Sequence, residues 1–244
     1  SEMDTQTNIL QVDNLNVYYG KLQAVNNVSF HVSRGEIFGL LGPNGAGKTS
    51  TLSAVEGLIK QQSGTVTVAG YDTLKKPQHA RAAMGVQLQA TSFQSELNVY
   101  EILQLYSSIY GMRLSDQQLQ SLLKEINLAD AENKKFGQLS GGQQQRVSLA
   151  ITTIHDPKLV LLDEPTSGLD PQSRRQLWTR IEAIREKGNG VVLTTHSMEE
   201  AESVCDRISI IDHGRVIATG TPQSLIEEHR YDPDVIAVSR RGRI

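Results

Sequence analysis

Residues 36–49 constrain this chain more than any other stretch. Residues 36–41 form a short apolar run that predicts a buried strand. It ends in Gly42-Pro43-Asn44-Gly45-Ala46-Gly47-Lys48-Thr49, after which Leu52, Val55 and Ile59 recur at helical spacing. A strand, a glycine-rich turn and a helix in that order make a phosphate cradle. Glycine lets the backbone curl so that successive N–H groups point inward at anionic oxygens. The helix that follows, entered through Lys48, Thr49 and Ser50, adds its positive end. Lys48 would neutralise β- and γ-phosphates, and the Thr49 hydroxyl would ligate Mg²⁺. The pattern G-x4-G-K-[ST] arises by chance in about one chain in a hundred of this length, given ordinary glycine usage. The flanking strand and helix are the context that makes it functional.

A second motif complements the first. Leu159-Val160-Leu161-Leu162-Asp163-Glu164 is a buried strand ending in two carboxylates, at the strand edge where open α/β sheets place ligands. Asp163 would hold Mg²⁺ through water, and Glu164 would polarise an attacking water. Together the motifs predict a nucleoside triphosphatase. A guanine-reading Asn-Lys-x-Asp is missing, since the nearest stretch, Asn133-Lys134-Lys135-Phe136, lacks the Asp. Adenine is favoured.

The 244 residues suffice for one compact domain or one core with an inserted lobe. A net charge of −3 lowers the odds of a nucleic-acid binder. Cys205 is the single cysteine, expected as a small buried residue in a cytosolic protein. No apolar run approaches the ~18–20 residues that span a bilayer. Residues 1–7 lack the apolar centre of a leader.

Alternation at Val28, Phe30 and Val32, and at Val66 and Val68, predicts antiparallel strands beside the cradle. From Asn98 the period turns helical, with Asn98 and Glu101 spaced as a capping box and Ser115 or Asp116 opening a second helix. Residues 90–157 therefore form a mostly helical insert. Residues 84–88, 159–162, 191–195 and 207–211 predict strands. Asp170 and Pro171 start the helix that carries Leu177, Ile181 and Ile184. The class is α/β with a parallel sheet covered on both faces.

Leu139-Ser140-Gly141-Gly142-Gln143 is another helix start suited to phosphate. Ser140 and Gln143 have capping-box spacing, and Gly141 and Gly142 are expected to keep side chains away from a ligand. This pentapeptide resembles the signature motif of the ABC transporter ATPases. The resemblance runs from about residue 9 to 224. It implies a P-loop (RecA-like) core, an antiparallel β subdomain and the helical subdomain near 90–157. Residues 1–230 would form the ATPase domain and 231–244 a tail, with Arg240-Arg241-Gly242-Arg243-Ile244 a truncated extension or a disordered basic end.

The resemblance also implies further site residues. Tyr19, in Tyr18-Tyr19-Gly20, resembles the aromatic that stacks on adenine, with Tyr18 open as an alternative; Val25 joins the nucleotide contacts. Gln89 resembles the glutamine that touches Mg²⁺ or the attacking water and reports to the membrane partner. Ser167-Gly168-Leu169-Asp170 resembles the loop that crosses to a second subunit, and His196 the histidine that contacts the γ-phosphate. Ser197 and Glu200 are expected to cap the next helix. His31, His79, His155, His213 and His229 are expected to play no catalytic part.

The implied activity is ATP hydrolysis with ATP and Mg²⁺, by a homodimer in which the signature of one copy closes over ATP on the other. The implied partner is a separate transmembrane permease, docked near residues 89–97, which include Phe93 and Leu97, through which alone the chain meets the membrane. Nucleic acid is not expected. The protein would be cytoplasmic, at the inner membrane face. Ala150-Ile151-Thr152-Thr153 departs from the Ala-Arg-Ala of many family members, which favours exporters for drugs, antibiotics and polysaccharides. The alternative, an ATPase serving a ribosome or DNA, fits less well because the cassette is single and uninterrupted.

Overall fold

The computed structural model describes residues 8–87 and 95–241. Its centre is a six-stranded sheet in the order β10-β9-β3-β8-β7-β6. The strands are β3 (Ile37–Leu41), β6 (Met84–Val86), β7 (Leu159–Asp163), β8 (Gly190–Thr195), β9 (Arg207–Asp212) and β10 (Arg215–Gly220). All pairings are parallel except β10 with β9. Every residue of β3 and β8 is buried, which is why these runs lack period-two alternation: both faces are covered. A second, antiparallel sheet runs β2-β1-β4-β5, from β1 (Asn8–Tyr19), β2 (Leu22–Ser33), β4 (Ser63–Val68) and β5 (Tyr71–Asp72). Between the two sheets, Phe30 stacks on Phe38 with ring centroids 5.2 Å apart.

Among the described residues nine α-helices accompany the sheets: α1 (Lys48–Glu56), α2 (Pro77–Ala82), α3 (Val99–Ile109), α4 (Asp116–Glu125), α5 (Gly141–Thr153), α6 (Pro171–Glu186), α7 (Met198–Val204), α8 (Pro222–Glu228) and α9 (Pro233–Arg241). Three apolar clusters form. One joins the antiparallel sheet to α1. A second joins the parallel sheet to α6 and α7, with Leu177, Ile181 and Ile184 as α6's buried stripe. The third, including Ile102, Leu119, Leu123 and Val147, belongs to the helical insert. An insert with its own core can hold shape while shifting against the sheet.

The expected caps are present. Asn98 and Glu101 close a reciprocal box on α3, Ser115 and Gln118 one on α4, and Asp170 accepts from the amides of Gln172 and Ser173. Three features differ from expectation. β1 and β10 carry no clean alternation in the sequence: β1 is interrupted by register shifts, and β10 is a half-exposed edge strand. β6 ends at Val86, and residue 88 lies outside the described residues. The expected tail is helical over Pro233–Arg241, and Val235 and Val238 pack into the second cluster.

Candidate nucleotide-binding site

The cradle forms where β3 runs into α1. A Cβ at Gly42 would stand 2.2 Å from the Ile211 carbonyl oxygen, so β9 leaves room for glycine alone. Gly47 sits at φ 103°, in the left-handed region, and a Cβ there would lie 2.5 Å from the Ala24 carbonyl oxygen. Gly42 N–H donates to Thr195 O at 3.1 Å and Ala46 N–H to Pro43 O at 3.1 Å, which fixes the curl. Asn44 and Gly45 are exposed at its rim, while Ala46 is buried. No side chain caps α1, and its first turn holds no acid. Its leading amides therefore lack an intrahelical partner and face the loop.

Lys48 is 4% exposed. Its Nζ donates to Gly42 O at 2.6 Å, Thr195 O at 3.2 Å and Glu164 Oε1 at 3.2 Å. Burial pushes the ammonium below its usual range, and the Glu164 carboxylate opposes that shift. The Thr49 hydroxyl donates to Asp163 at 3.2 Å. Asp163 accepts a further short bond from the Thr194 hydroxyl, which itself accepts from Glu164 N–H at 2.8 Å. His196 Nδ1 lies 3.4 Å from Glu164 Oε1. Glu164 is held at φ 44°, a left-handed conformation rare for a side-chain-bearing residue. One lysine, two carboxylates, a hydroxyl and a histidine thus converge at the C-terminal ends of β7 and β8.

Thr194 is a residue that sequence reading missed. It is wholly buried and ties Asp163 to the backbone of Glu164. The signal was Thr194-Thr195 inside an otherwise apolar strand. Glu200 is a correction. Ser197 does cap α7 by accepting from Glu200 N–H, but the Glu200 carboxylate does not return to the cap. It is buried and accepts from the Thr166 hydroxyl and from Trp178 Nε1, the latter at 2.8 Å. Thr166 lies two residues after Glu164, so Glu200 anchors the loop leaving the site.

Tyr18 and Tyr19 are both exposed, so neither is a core aromatic. Tyr19 Oη lies 3.2 Å from Ser50 Oγ on α1, which sets Tyr19 beside the cradle. Val25 is placed otherwise than expected: it is wholly buried in the first cluster and presents no surface to a ligand. Gln89 and Phe93 fall outside the described residues. Gln87, at the mouth of β6, donates to Gln145 Oε1 at 2.6 Å. The Cys205 thiol is buried and pushed well above its usual range by that burial, which leaves it inert.

The α5 start is built differently. Ser140 Oγ accepts from Gln143 N–H at 3.2 Å, and Gln143 Oε1 accepts from Ser140 N–H at 2.9 Å. A Cβ at Gly142 would lie 2.7 Å from Ser173 Oγ, whereas one at Gly141 would touch only Leu169 at 3.4 Å. Gly142 is thus closely packed on α6, a demand separate from the expected contact with a ligand. A cleft of about 900 Å³ is lined by Asn44, Thr49, Asp163 and Glu164 on one side and by Gly141 and Gly168 on the other. Ser140 and Gln143 do not line it. Asp170 is committed to the start of α6: bonds from the Ser173 hydroxyl and amide hold its carboxyl below the usual range.

No helix among the described residues is long and apolar enough to cross a membrane.

Comparison with known proteins agrees with this geometry. The family model described as "ABC transporter" matches residues 25–167. The Nod factor export ATP-binding protein I of Burkholderia orbicola is 43% identical over 236 residues, covering 92% of this chain and 77% of that protein. The linearmycin resistance ATP-binding protein LnrL of Bacillus subtilis is 38% identical over 219 residues, covering 89% of this chain and 70% of that protein. A solved ATP-binding subunit of an ABC transporter superposes with a TM-score of 0.80 at 31% identity, covering 94% of this chain and 98% of that one. A cradle around a buried lysine, paired acids at the end of β7 and an α/β core of this likeness lead to one conclusion: the chain belongs to the ABC transporter family, as an ATP-binding and ATP-hydrolysing subunit.

Proposed function

We propose that this chain powers export by closing over ATP as a homodimer, with its cradle and the α5 start of a second copy facing the same nucleotide. The observation that carries the reading is the contrast between an uncapped α1 beside a buried lysine and an exposed, self-capped α5 start whose Ser140 and Gln143 do not line their own chain's cleft. On binding, Lys48 exchanges carbonyl acceptors for phosphate oxygens, and the leading amides of α1 bond the β-phosphate side. Tyr19 stacks on adenine. Val25, wholly buried, supports the strand behind it.

Glu164 then orients a water and accepts its proton as the γ-phosphate bond breaks. His196 holds the γ-phosphate side of that water and steadies the Glu164 carboxylate. Thr194 fixes both acids. Thr49, Asp163 and Gln89 would hold Mg²⁺, whose hard-oxygen preference suits the hydroxyl and carboxylate, and which neutralises and orients the phosphates when bound. Among the described residues no group of three His, Cys, Asp or Glu forms a metal site by itself. Mg²⁺ commonly completes its shell with substrate phosphate and water.

A transmembrane permease receives the work, and the chain sits at the membrane through that permease. Export, as against import, is supported by relatives named for Nod factor export and linearmycin resistance. A ribosome or DNA partner is not favoured.

Glu164→Gln tests the reading. It removes the proton acceptor and keeps the cradle, so turnover should fall by about 10²–10⁴-fold while light scattering reports a dimer that forms only with ATP. A monomer under all conditions, with turnover unchanged by the substitution, would reject the assignment of Glu164.

A further inference from the structure

A second cavity lies away from the nucleotide cleft, where α4 and α5 of the helical insert meet α6 of the core. Its volume is about 330 Å³, near the lower end of the ~300–1,000 Å³ of small-molecule sites. Leu114, Leu122, Leu149, Ile154 and Ile184 give it apolar walls. Arg146, one turn into α5, forms part of the lining and is only 9% exposed.

Arg146 is under-satisfied for a buried cation. Its Nη1 donates to the Ile126 carbonyl oxygen at 3.0 Å, at the C-terminal end of α4, where the helix dipole favours positive charge. Its Nε is buried without a hydrogen-bond partner, and no carboxylate among the described residues pairs with it. Burial pushes the guanidinium downward and the nearby Arg180 cation pushes it further. Buried charges are normally paired, and an unpaired one is costly.

The other charged groups lining the cavity are Arg180, Lys187, Glu125 and Asp156. Glu125 is shared between Arg180 at 3.9 Å and Lys187 at 4.0 Å, leaving it no close bond to Arg146. With Nη1 committed to the backbone and Nε closed to solvent, Nη2 is the guanidinium nitrogen left for a ligand. A charged N–H donor at that position suits a carboxylate oxygen. The apolar walls suit a short hydrocarbon body better than a compact inorganic dianion.

We propose that this cavity binds a small amphipathic carboxylate, anchored on Arg146 and enclosed between α4 and α6. Occupation would tie the helical insert to the core and so restrain their relative motion. The proposal does not depend on the nucleotide site.

The test uses the full chain without nucleotide and ligand-observed saturation-transfer NMR. The probes are hexanoate and benzoate; acetate, 1-hexanol and inorganic phosphate are controls. Hexanoate and benzoate should saturate in the millimolar range, acetate should bind at least tenfold more weakly, and 1-hexanol and phosphate should not saturate. Arg146→Gln removes the anchor, and Ala183→Phe fills the cavity from α6 while leaving Arg146 intact; each should weaken hexanoate at least tenfold. Circular dichroism checks folding, and if Arg146→Gln unfolds, Ala183→Phe carries the comparison. The proposal is overturned if neither hexanoate nor benzoate saturates, if 1-hexanol binds as well as hexanoate, if phosphate displaces hexanoate, or if folded Ala183→Phe binds like wild type. The first of these would leave Arg146 as a hydrated cap on α4.

Discussion

The starts of α1 and α5, the two helix ends that the proposed function sets against phosphate, are prepared in opposite ways. α1 begins at a left-handed glycine, with no side-chain cap and a buried lysine as its first residue. α5 begins at an exposed serine whose side chain and Gln143 satisfy each other's backbone amides. The first is preorganised by one chain, because β3, β8 and β9 clamp the loop around Lys48. The second is at rest with its own cap. A phosphate brought by another copy, as proposed, would have to compete with Gln143 and Ser140 for those amides. On the proposed function, affinity resides in the cradle, while closure is a reversible exchange at α5.

The largest way to break this contrast is at the cradle. Lys48→Ala should abolish measurable ATP binding and hydrolysis, while circular dichroism shows the fold retained. It also leaves Glu164 without its ion partner, which argues for reading nucleotide binding directly with a fluorescent ATP analogue as well as by turnover.

Ser140→Asp sharpens it. Aspartate is as good an N-cap as serine, so thermal stability should hold. A carboxylate where phosphate is to arrive should nonetheless lower ATPase activity at least tenfold. An active Ser140→Asp enzyme would mean that phosphate never reaches α5.

Gly142→Ala should destabilise through crowding against Ser173, by about 1–3 kcal/mol as for other overpacked sites. Ser173→Gly in the same chain should recover part of that loss in a chemical-denaturation series. Failure of the second substitution to help would place the need for Gly142 with the ligand rather than with α6.

A pH series is subtler. The Lys48 pKa is lowered from 10.5 in the folded state. Between the two pKa values the unfolded chain holds more protons, so unfolding free energy should rise with pH across that alkaline window. ATP affinity should fall there, because the ammonium is lost. Parallel rather than opposed trends would contradict Lys48 as the phosphate partner. Smallest of all, Ser140→Ala should remove about 1 kcal/mol of capping, or roughly 2–4 °C of melting temperature for a chain of this size.

Much of this was legible in the sequence for local reasons. The cradle, the ends of β7 and β8, and the caps of α3, α4, α5 and α6 each rest on residues within a few positions of one another. What stayed hidden depends on contacts between distant segments. Thr194 joins Asp163 to Glu164 only when β8 lies beside β7. Glu200 looks like half of a capping box until Trp178 on α6 and Thr166 come within reach. Val25 was placed by resemblance and is wholly buried in the first cluster, ahead of the inward-facing Val28, Phe30 and Val32. Gly142 carries a packing demand from α6 that spacing along α5 does not reveal. The strand β10 was obscured by its exposed face, and α9 by the short length of its buried pair, Val235 and Val238.

The most direct test of the central claim is complementation between two inactive chains. Lys48→Ala lacks a working cradle and Ser140→Asp lacks a working α5 start. Mixed dimers should contain one intact site, made from the cradle of the Ser140→Asp copy and the α5 start of the Lys48→Ala copy. The account predicts that mixing the two restores a substantial fraction of wild-type ATP hydrolysis per intact site, with either chain alone inactive. A mixture as inactive as its parts, in a solution where light scattering shows that mixed dimers form, would contradict a site shared between two copies.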